Sequence, residues 1–394
     1  MTSILNFLQW TLFLFSLCGT IYLLVFAIAG LFFKSVKYSP SVKYRKFAVF
    51  IPGYKEDDVI VDVARKALDQ DYPHDCYDVI VIADGFKQET IEKLKELPIL
   101  VNEVKFEKSS KAKSLNRTME LLSQEYEVAL VLDADNIMAH DFISRMNQAF
   151  NNGFIAIQGH RLAKNSNTHF AVLDALSEEI NNNIFRRGHR KLGLSAALIG
   201  SGMAFDYQLY KSLMGQIESF GEDKELEHKL LKRRVQIEYL DKALVYDEKT
   251  TKSQVFVTQR TRWIANQLNY ATNYLGEGFK ELFKGNIDFF DKVMQHLIPP
   301  RIFILGFLSI IVILSLIFNS ISWNYAWIIQ WILCVLALFI SVPRQLFTRK
   351  TLNALFYLPL GFFLMLVSLS KINQARKGFV HTTHSYNDND NHQL

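Results

Sequence analysis

Uncharged hydrophobic stretches lie near both ends of the chain, and a polar block separates them. Residues 1–33 contain no charged side chain and are long enough to cross a bilayer. Residues 302–343 are also uncharged and are divided by NSIS (319–322), and a third uncharged run covers 351–370. The pattern predicts about four membrane spans: an N-terminal anchor and three transmembrane helices within 302–370.

A cleaved secretory signal is the alternative for the first span, because AIAG (27–30) has the small residues of a cleavage site. No positive charge precedes the run, however, and its apolar part is longer than that of a signal, so we predict an uncleaved anchor. Five basic residues follow at 34–46, which predicts a multi-pass protein of the cell membrane with its polar block in the cytoplasm. Basic residues at 371–377 disagree with that topology, so the side of the C-terminal tail stays open.

The polar block at 41–285 contains short apolar runs bounded by turn residues, which is typical of buried strands. Helical patterns, for example at 57–70 and 89–97, separate the early runs. This alternation predicts an α/β domain with a mainly parallel sheet, helices on both faces and a ligand beyond the carboxyl ends of its strands. The predicted strands are FAVFI (47–51), YDVIVIA (77–83), NEVKF (102–106), VALVL (128–132) and FIAIQ (154–158).

Carboxylates follow three of these runs. PGYKED (52–57) comes after the first, Asp84 after the second, and Asp133 and Asp135 after the fourth. Asp is depleted in strands and costly near a core, although a helix cap is the alternative for a single one such as Asp84. Alternate residues of an extended segment point the same way, so Asp133 and Asp135 are predicted to face one divalent cation.

Three later segments carry further candidate chemistry. The glycine pair of GSGMAF (200–205) lets backbone approach a ligand, and Glu222-Asp223 opens a helical stretch, where simple capping is the alternative. In VFVTQRTRWIANQ (255–267), helical spacing places Gln259, Arg262 and Trp263 on one face. A solvated surface helix is the alternative there.

A predicted amphipathic helix joins the block to the second span. Residues 286–301 carry an apolar stripe at i, i+3, i+4, i+7 and i+8, and Pro299-Pro300 ends the pattern. We predict that this helix lies in the membrane interface, with a core helix as the alternative. Upstream, RRGHRK (186–191) is interpreted as a solvated or lipid-facing basic patch, and 371–394 as a polar tail.

Composition narrows the class of protein. Of 394 residues, 49% are hydrophobic, and the net charge of +5 is carried mainly beside the predicted spans, so no nucleic-acid partner is expected. Cys18, Cys76 and Cys334 are scattered and give neither a disulfide framework nor a zinc-binding spacing, as expected for a reduced cytosolic domain.

Taken in order, these segments resemble membrane-bound processive synthases of glycosyltransferase family 2. The resemblance covers residues 47 to 270, and one span before and three after the block is similar to the arrangement of chitin-oligosaccharide synthases, with hyaluronan and cellulose synthases as larger relatives. It rests on PGYKE (52–56), IADG (82–85), KSSKAKSLN (108–116), LDADN (132–136), GSGMAF (200–205), GEDKELE (221–227) and QRTRW (259–263).

The resemblance implies a GT-A fold that binds a UDP-sugar donor and Mg²⁺ or Mn²⁺. By this resemblance, the uridine would be held by Tyr54, Glu56 and Asp84, and Lys111 would also face the nucleotide. Asp133 would contact the donor sugar or the ribose, and Asp135 would bind the metal. The chain departs from the family pattern at Lys55, where Asn is usual, and at Lys113, which replaces a Gly.

On the acceptor side, Asp223 matches the family's general base, and Gln259, Arg262 and Trp263 match its Gln-X-X-Arg-Trp signature. The predicted function is therefore inverting, metal-dependent extension of a saccharide at the membrane. Because four spans are few for a secretion channel, a homodimer or an export partner is a further expectation. Two alternatives stay open. One is transfer of a single sugar to a lipid, as in ceramide glucosyltransferases, and the other is a scaffold protein that keeps the fold without turnover.

Overall fold

A computed structural model describes residues 2–36, 38, 43–123, 125–217, 221–249, 253–318 and 324–372. The predicted linker at 319–322 and the predicted polar tail beyond residue 372 lie outside the described residues. Contacts divide the chain into two compact units. The sheet unit comprises residues 34–167 and 194–249, and the helical unit comprises 2–33, 168–193 and 253–372. Parts of the block predicted at 41–285 thus group with the apolar helices.

The sheet unit contains one eight-stranded sheet, in which all five predicted strands form. Its order is β3-β2-β1-β4-β7-β6-β8-β5; β3, β2, β1 and β4 run parallel, whereas β7 is antiparallel to both β4 and β6, so the sheet is mixed. The strands are β1 Phe47–Tyr54, β2 Tyr77–Asp84, β3 Leu100–Val104, β4 Val128–Val131, β5 Ile137–Met138, β6 Ala156–Ala163, β7 Met203–Asp206 and β8 Glu238–Asp247.

Helices cover both faces of this sheet, as the apolar strand sequences require. On one face α2 and α5 bury a continuous apolar core with β1, β2 and β4, and on the other α4 and α8 pack against the sheet. The helices of this unit, numbered in chain order through the whole protein, are α2 Ile60–Ala67, α3 Gln88–Lys95, α4 Lys111–Leu121, α5 Phe142–Asn151, α8 Tyr207–Met214 and α9 Glu222–Lys232.

The helical unit contains the long apolar segments. Its elements are α1 Thr2–Leu31, α6 His169–Asn181, a π-helix at Asn182–Gly188, α7 His189–Lys191, α10 Ser253–Phe283, α11 Ile287–Leu297, α12 Arg301–Phe318, α13 Asn324–Ile340, α14 Arg349–Leu355 and α15 Leu358–Ser370. The π-helix continues α6 without a break and leads into α7.

Among the described residues, one helix is long and apolar enough to cross a membrane, the stretch Asn6–Leu31 of α1. Two helix pairs, α11 with α12 and α14 with α15, also pass if each pair, bent by 51°, counts as one span. The described helices therefore provide between one and three candidate spans, where the sequence predicted four. The run predicted at 351–370 is broken because Pro359 lies in the first turn of α15, and a proline cannot continue the hydrogen bonds of a preceding helix.

The predicted interface helix forms as α11. Asn286 caps it by accepting a hydrogen bond from the Phe289 amide at 3.2 Å, and the helix ends before Pro299-Pro300. It packs on α10 through Phe289 and Val293. Of the five positions in the predicted apolar stripe, Val293 alone is fully buried, and Phe289 is outside that stripe. Its location at a membrane interface stays a prediction.

The prediction that the basic segment RRGHRK is a solvated or lipid-facing patch is wrong for Arg186 and His189, which are buried within the helical unit, whereas Lys191 is exposed. The His189 ring stacks on Phe26 of α1 at 3.8 Å between centroids, and its Nε2 lies 2.9 Å from the Tyr22 hydroxyl. Arg186 donates to Glu178 at 3.2 Å. Internal ion pairing and aromatic packing thus take the place of solvation.

Close approach of α1 to the π-helix depends on Gly188. A Cβ at this position would lie 2.2 Å from the backbone oxygen of Phe26, which cannot rotate away. We expect Gly188→Ala to cost about 1–3 kcal/mol, since it forces two packed helices apart. Thermal unfolding of the detergent-purified protein would measure the loss.

Gly276→Ala in α10 is the matched control, because nothing lies within 4 Å of its added Cβ. Alanine favours a helix over glycine by about 1 kcal/mol, so the control should be neutral or slightly stabilised. Equal melting temperatures for the two variants would show that the contact between α1 and Gly188 is not close.

Candidate active site

The carboxyl ends of β1, β2 and β4 meet at one edge of the sheet, because β1 pairs in parallel with both of the other strands. Tyr54 and Asp84 are opposite each other in the register of β1 and β2. The Lys55 amide then donates to the Asp84 carbonyl at 3.1 Å, and Lys55 and Gly85 both take left-handed conformations, with φ values of 55° and 72°. Asn adopts this conformation more easily than Lys, so the Asn that the resemblance leads us to expect at position 55 would suit this turn.

The Asp84 carboxylate is buried behind this turn, and its Oδ2 atom has no hydrogen-bond partner among the described residues. Burial raises the pKa of Asp84 above the ordinary carboxyl value, while the hydroxyls of Ser109 and Ser114 lower it in part. Tyr54 and Glu56 lie half-buried beside it, at and just after the end of β1. A buried acceptor of this kind is suited to an N–H group of a ligand.

Lys111 joins four segments of the sheet unit at its Nζ atom. Ser110 caps α4 and places Lys111 in the first turn. From there Nζ forms a short ion pair with Asp133, donates to the Gly200 carbonyl at 2.7 Å and lies 3.5 Å from Glu222. Burial opposes the charge of the amine, but Asp133, Glu222 and Asp223 raise the pKa of Lys111 above its usual value. Lys111 is therefore a buried cation at neutral pH.

Glu222 and Asp223 begin α9 beside this cation. Burial and the negative charges of Asp223 and Asp133, opposed by the positive charge of Lys111, together raise the pKa of Glu222 to about 7. Asp223 is half-buried, and its Cβ and Cγ lie 3.9 Å from the point where a Cβ would stand on Gly200. Glu222 was not predicted as a site residue from the sequence. Its position directly before Asp223, at the start of a helix, was the signal that could have identified it.

The LDADN segment turns where an extended conformation was predicted. The Asn136 amide donates to the Asp133 carbonyl at 3.1 Å, so residues 133–136 form a turn and the two carboxylates have different partners. Asp133 pairs with Lys111, whereas Asp135 is buried and accepts from Asn136 Nδ2 at 2.9 Å. The segment is therefore not extended as the prediction assumed, and a cation shared by Asp133 and Asp135 stays a prediction.

Asn136 fixes this turn from three sides. Its side-chain Nδ2 atom also donates to the Asp247 carboxylate at 3.0 Å, and its side-chain Oδ1 atom accepts from the Ser201 hydroxyl at 2.6 Å. That hydroxyl oxygen in turn accepts from the Asp133 amide at 2.9 Å. The loop at 200–202 is thereby held against the end of β4.

A metal ion bound here would have few protein ligands. No group of three or more His, Cys, Asp or Glu side chains in the described part of the chain is arranged to hold a metal. Asp135 is a buried carboxylate beside the strand ends and can provide one hard oxygen ligand. This fits Mg²⁺ or Mn²⁺ bound through one carboxylate, with phosphate oxygens of a substrate and water completing the shell.

Gln259, Arg262 and Trp263 lie on α10, in the helical unit, and their helical spacing is as predicted. Gln259 and Arg262 are half-buried, and Trp263 is 41% exposed. The neighbouring Arg260 guanidinium lies 4.4 Å from the Trp263 ring centroid. The strand-end residues and Asp223, by contrast, belong to the sheet unit.

A mixed sheet whose parallel half ends in carboxylates and a buried lysine is the architecture of a GT-A-type nucleotide-sugar-binding domain. Residues 45–266, more than half of the chain, match the family described as "Glycosyltransferase like family 2". The chain belongs to this family.

Similar proteins agree with this assignment. The chain is 25% identical over 224 residues to the beta-monoglucosyldiacylglycerol synthases of Trichormus variabilis and of Nostoc sp., covering 55% of this chain and 47% of theirs, so it spans about half the length of these curated relatives. A solved mannosyltransferase from Pyrobaculum calidifontis, in complex with GDP-Man and Mn²⁺, matches with a TM-score of 0.57 and 13% identity over 92% of this chain and 96% of its own. That likeness establishes the fold.

The raised pKa of Glu222 predicts a pH dependence of stability. A carboxyl group that is harder to ionise in the folded state contributes stability at low pH, and this contribution is lost as the pH rises toward about 7. Glu222→Gln removes the titration. Between pH 5 and pH 8 we expect the melting temperature of Glu222→Gln to fall less than that of the wild type. The difference should be about 2–4 °C for each kcal/mol of unfolding free energy that depends on the titration of Glu222.

Glu120→Gln, at the exposed end of α4, is the control and should follow the wild type. Thermal unfolding across the pH range measures the difference. Parallel curves for the wild type and Glu222→Gln would contradict the raised pKa.

Proposed function

We propose that the protein is an inverting glycosyltransferase that uses a UDP-sugar donor at the cytoplasmic face of a cell membrane, to which several helices attach it. The observation that carries this proposal is the convergence of Lys111, Asp133, Gly200 and the start of α9 at the strand ends. Family membership supports sugar transfer as the reaction.

In the proposed donor complex, the Oδ2 atom of Asp84 accepts a hydrogen bond from the N–H group of the uracil ring. This bond supplies the partner that the buried Oδ2 atom lacks among the described residues. Tyr54 and Glu56 hold the nucleoside beside it. Lys111 holds Asp133 in place, so that Asp133 can bind hydroxyls of the ribose or of the donor sugar. A guanine base offers a different set of donors, so comparing UDP-sugars with GDP-mannose tests this assignment.

Asp223 is the proposed general base. Inverting transfer requires the acceptor hydroxyl to lose its proton as it attacks the anomeric carbon, and a carboxylate within hydrogen-bond reach can accept that proton. The raised pKa of Glu222 favours its protonated form more than that of an ordinary carboxyl group, and Glu222 lies 3.5 Å from Lys111. We assign Glu222 to positioning Lys111 and Asp223 to proton transfer.

Asp135 is the proposed ligand of Mg²⁺ or Mn²⁺, held in orientation by Asn136. When bound, the ion would neutralise negative charge on the departing diphosphate. In the helical unit, we assign Arg262 to the same diphosphate, and Gln259 and Trp263 to the acceptor, because a flat indole face suits a sugar ring.

Two acceptors fit this site. The order of the motifs up to QRTRW favours a growing saccharide chain, whereas the names of the two cyanobacterial relatives favour a lipid. We place the lipid first, because candidate membrane helices belong to the same unit as Trp263. A polymer remains the second candidate, and its export would call for a homodimer or a partner protein.

Product analysis tests both the reaction and the acceptor. We expect Asp223→Asn to lower kcat by about 10²- to 10⁴-fold, with little change in donor KM, because the variant cannot accept a proton. Detergent-purified protein would be incubated with UDP-sugars, GDP-mannose and lipid or saccharide acceptors, and the products sized by mass spectrometry. One sugar on a lipid supports the first candidate, and a ladder of sugar masses supports the second.

Asp69→Asn, at a carboxylate that is 81% exposed, is the matched control and should retain wild-type turnover. Wild-type kcat in Asp223→Asn would remove Asp223 from its assigned role. Turnover of no donor by the wild type, with any acceptor, would leave the scaffold alternative.

The metal assignment gives a separate prediction. We expect EDTA to abolish transfer, Mn²⁺ or Mg²⁺ to restore it, and Asp135→Asn to require at least about tenfold more metal, since the proposed carboxylate ligand of the ion has lost its charge. Electron paramagnetic resonance of Mn²⁺ in the presence of UDP measures binding without turnover. Equal Mn²⁺ affinity in Asp135→Asn and in Asp69→Asn would argue against Asp135 as the ligand.

A further inference from the structure

Helix α6 presents three neighbouring polar positions, at i, i+3 and i+4, and an arginine contacts each of them. The contacts are a short ion pair between Arg260 and Asp174, hydrogen bonds from Arg301 to the Ser177 carbonyl at 3.1 Å and hydroxyl at 3.0 Å, and an ion pair between Arg186 and Glu178 at 3.2 Å. We refer to Arg186, Arg260 and Arg301 as the arginine cluster. All of these residues belong to the helical unit.

The charges of the cluster do not balance at Arg301. Asp174 and Glu178 neutralise Arg260 and Arg186, but Ser177 offers Arg301 only neutral oxygens. The charges of Arg260, Glu178 and Arg186 all act on Arg301, and two of these three are positive. Among the described residues, therefore, no carboxylate contacts the guanidinium of Arg301.

The Nη1 atom of Arg301 is buried and has no hydrogen-bond partner in the part of the chain that the structure describes. Burying a charged donor without a partner is costly, and a protein retains such a group when something else satisfies it. An anion would supply both the missing acceptor and the missing negative charge. A phosphate suits a guanidinium particularly well, because parallel N–H groups bind two of its oxygens.

The surroundings of the cluster indicate what the anion is attached to. Arg301 is the first residue of α12, whose other residues are uncharged and mostly hydrophobic, and its guanidinium lies 6.0 Å from the Phe185 ring centroid. Arg260 lies over the rings of Phe256 and Trp263 at 4.9 and 4.4 Å. Charged and apolar groups are thus side by side, as the phosphate headgroup and hydrocarbon tail of a lipid require.

We propose that the arginine cluster binds the phosphate group of a lipid, with Arg301 as its main contact, and that this lipid is the acceptor. The second part rests on the proposed function, since Trp263, which contacts Arg260, is the residue assigned there to the acceptor. A phosphate-bearing acceptor differs from the uncharged diacylglycerol in the names of the two cyanobacterial relatives.

Binding to the detergent-purified full-length protein tests the site without any turnover. Dioleoyl phosphatidate and dioleoylglycerol would be titrated in dodecyl maltoside micelles. We expect phosphatidate to bind at least about tenfold more tightly than dioleoylglycerol, and Arg301→Gln to abolish that difference, because it removes the charge-assisted hydrogen bonds. Arg349→Gln is the matched control, an exposed arginine that begins another helix of the same unit, and it should bind as the wild type does.

Inorganic phosphate distinguishes the two sources of the anion. Failure of 10-fold excess phosphate to displace phosphatidate would confirm that a lipid is the ligand, whereas displacement would assign the cluster to free phosphate and overturn the lipid proposal. Equal wild-type affinity for phosphatidate and dioleoylglycerol, or unchanged affinity in Arg301→Gln, would overturn the site itself.

Folding and function are controlled separately. If Arg301→Gln does not fold, Arg301→Lys, which keeps the charge, should retain part of the preference for phosphatidate, and the wild-type comparison decides alone. Transfer of sugar to a hydroxyl of dioleoyl phosphatidylglycerol, which carries both a phosphate and the alcohol that Asp223 would deprotonate, but not to dioleoylglycerol supports the acceptor assignment, and the reverse overturns it. Phosphatidate binding in a protein that transfers no sugar would refute the proposed function while leaving the site intact.

Discussion

The ammonium group of Lys111 is held in the sheet unit by groups from the end of β4, the loop at residue 200 and the start of α9. Each of these segments brings a negative charge or a carbonyl oxygen that would be unfavourable without the cation. Without it, Asp133, Glu222 and Asp223 would repel one another in a partly buried place, and a like charge nearby raises the cost of ionising each carboxyl. The position of the proposed base therefore depends on a residue more than 100 positions earlier in the chain.

Much of this arrangement could be predicted from local sequence. Unbroken apolar runs such as VALVL have to be buried on both faces, which indicates the parallel half of the sheet, and the carboxyl ends of those strands then gather Asp84 and Asp133 at one edge. The helical spacing of Gln259, Arg262 and Trp263 was likewise sufficient to place them on α10. Periodicity and strand order carry this information without any knowledge of tertiary contacts.

Other features could not be predicted because tertiary contacts determine them. Strand β7 is four residues long and follows a glycine pair, so only its pairing with β4 and β6 identifies it. The turn at 133–136 depends on Asn136, whose partners Ser201 and Asp247 lie far along the chain. Arg186 is in a basic, surface-like segment, yet Glu178 allows it to be buried. The residue types of a segment indicate the energetic cost of burying it, but they do not identify the partner residue that offsets this cost.

Electrostatic balance connects the two units with the ligands proposed for them. Around Lys111 three carboxylates face one ammonium, and the fourth, Asp135, lies two residues from Asp133; this excess of negative charge repels a diphosphate unless a cation accompanies it. Around Arg301 the imbalance is the opposite, because among the described residues no carboxylate contacts its guanidinium, while the positive charges of Arg260 and Arg186 act on it. A nucleotide-sugar with its metal suits the first environment, and a bare anion suits the second. The same physical rule, that buried charge has to be paired, thus underlies both proposals, a ligand with its own cation for the sheet unit and an anion for the helical unit.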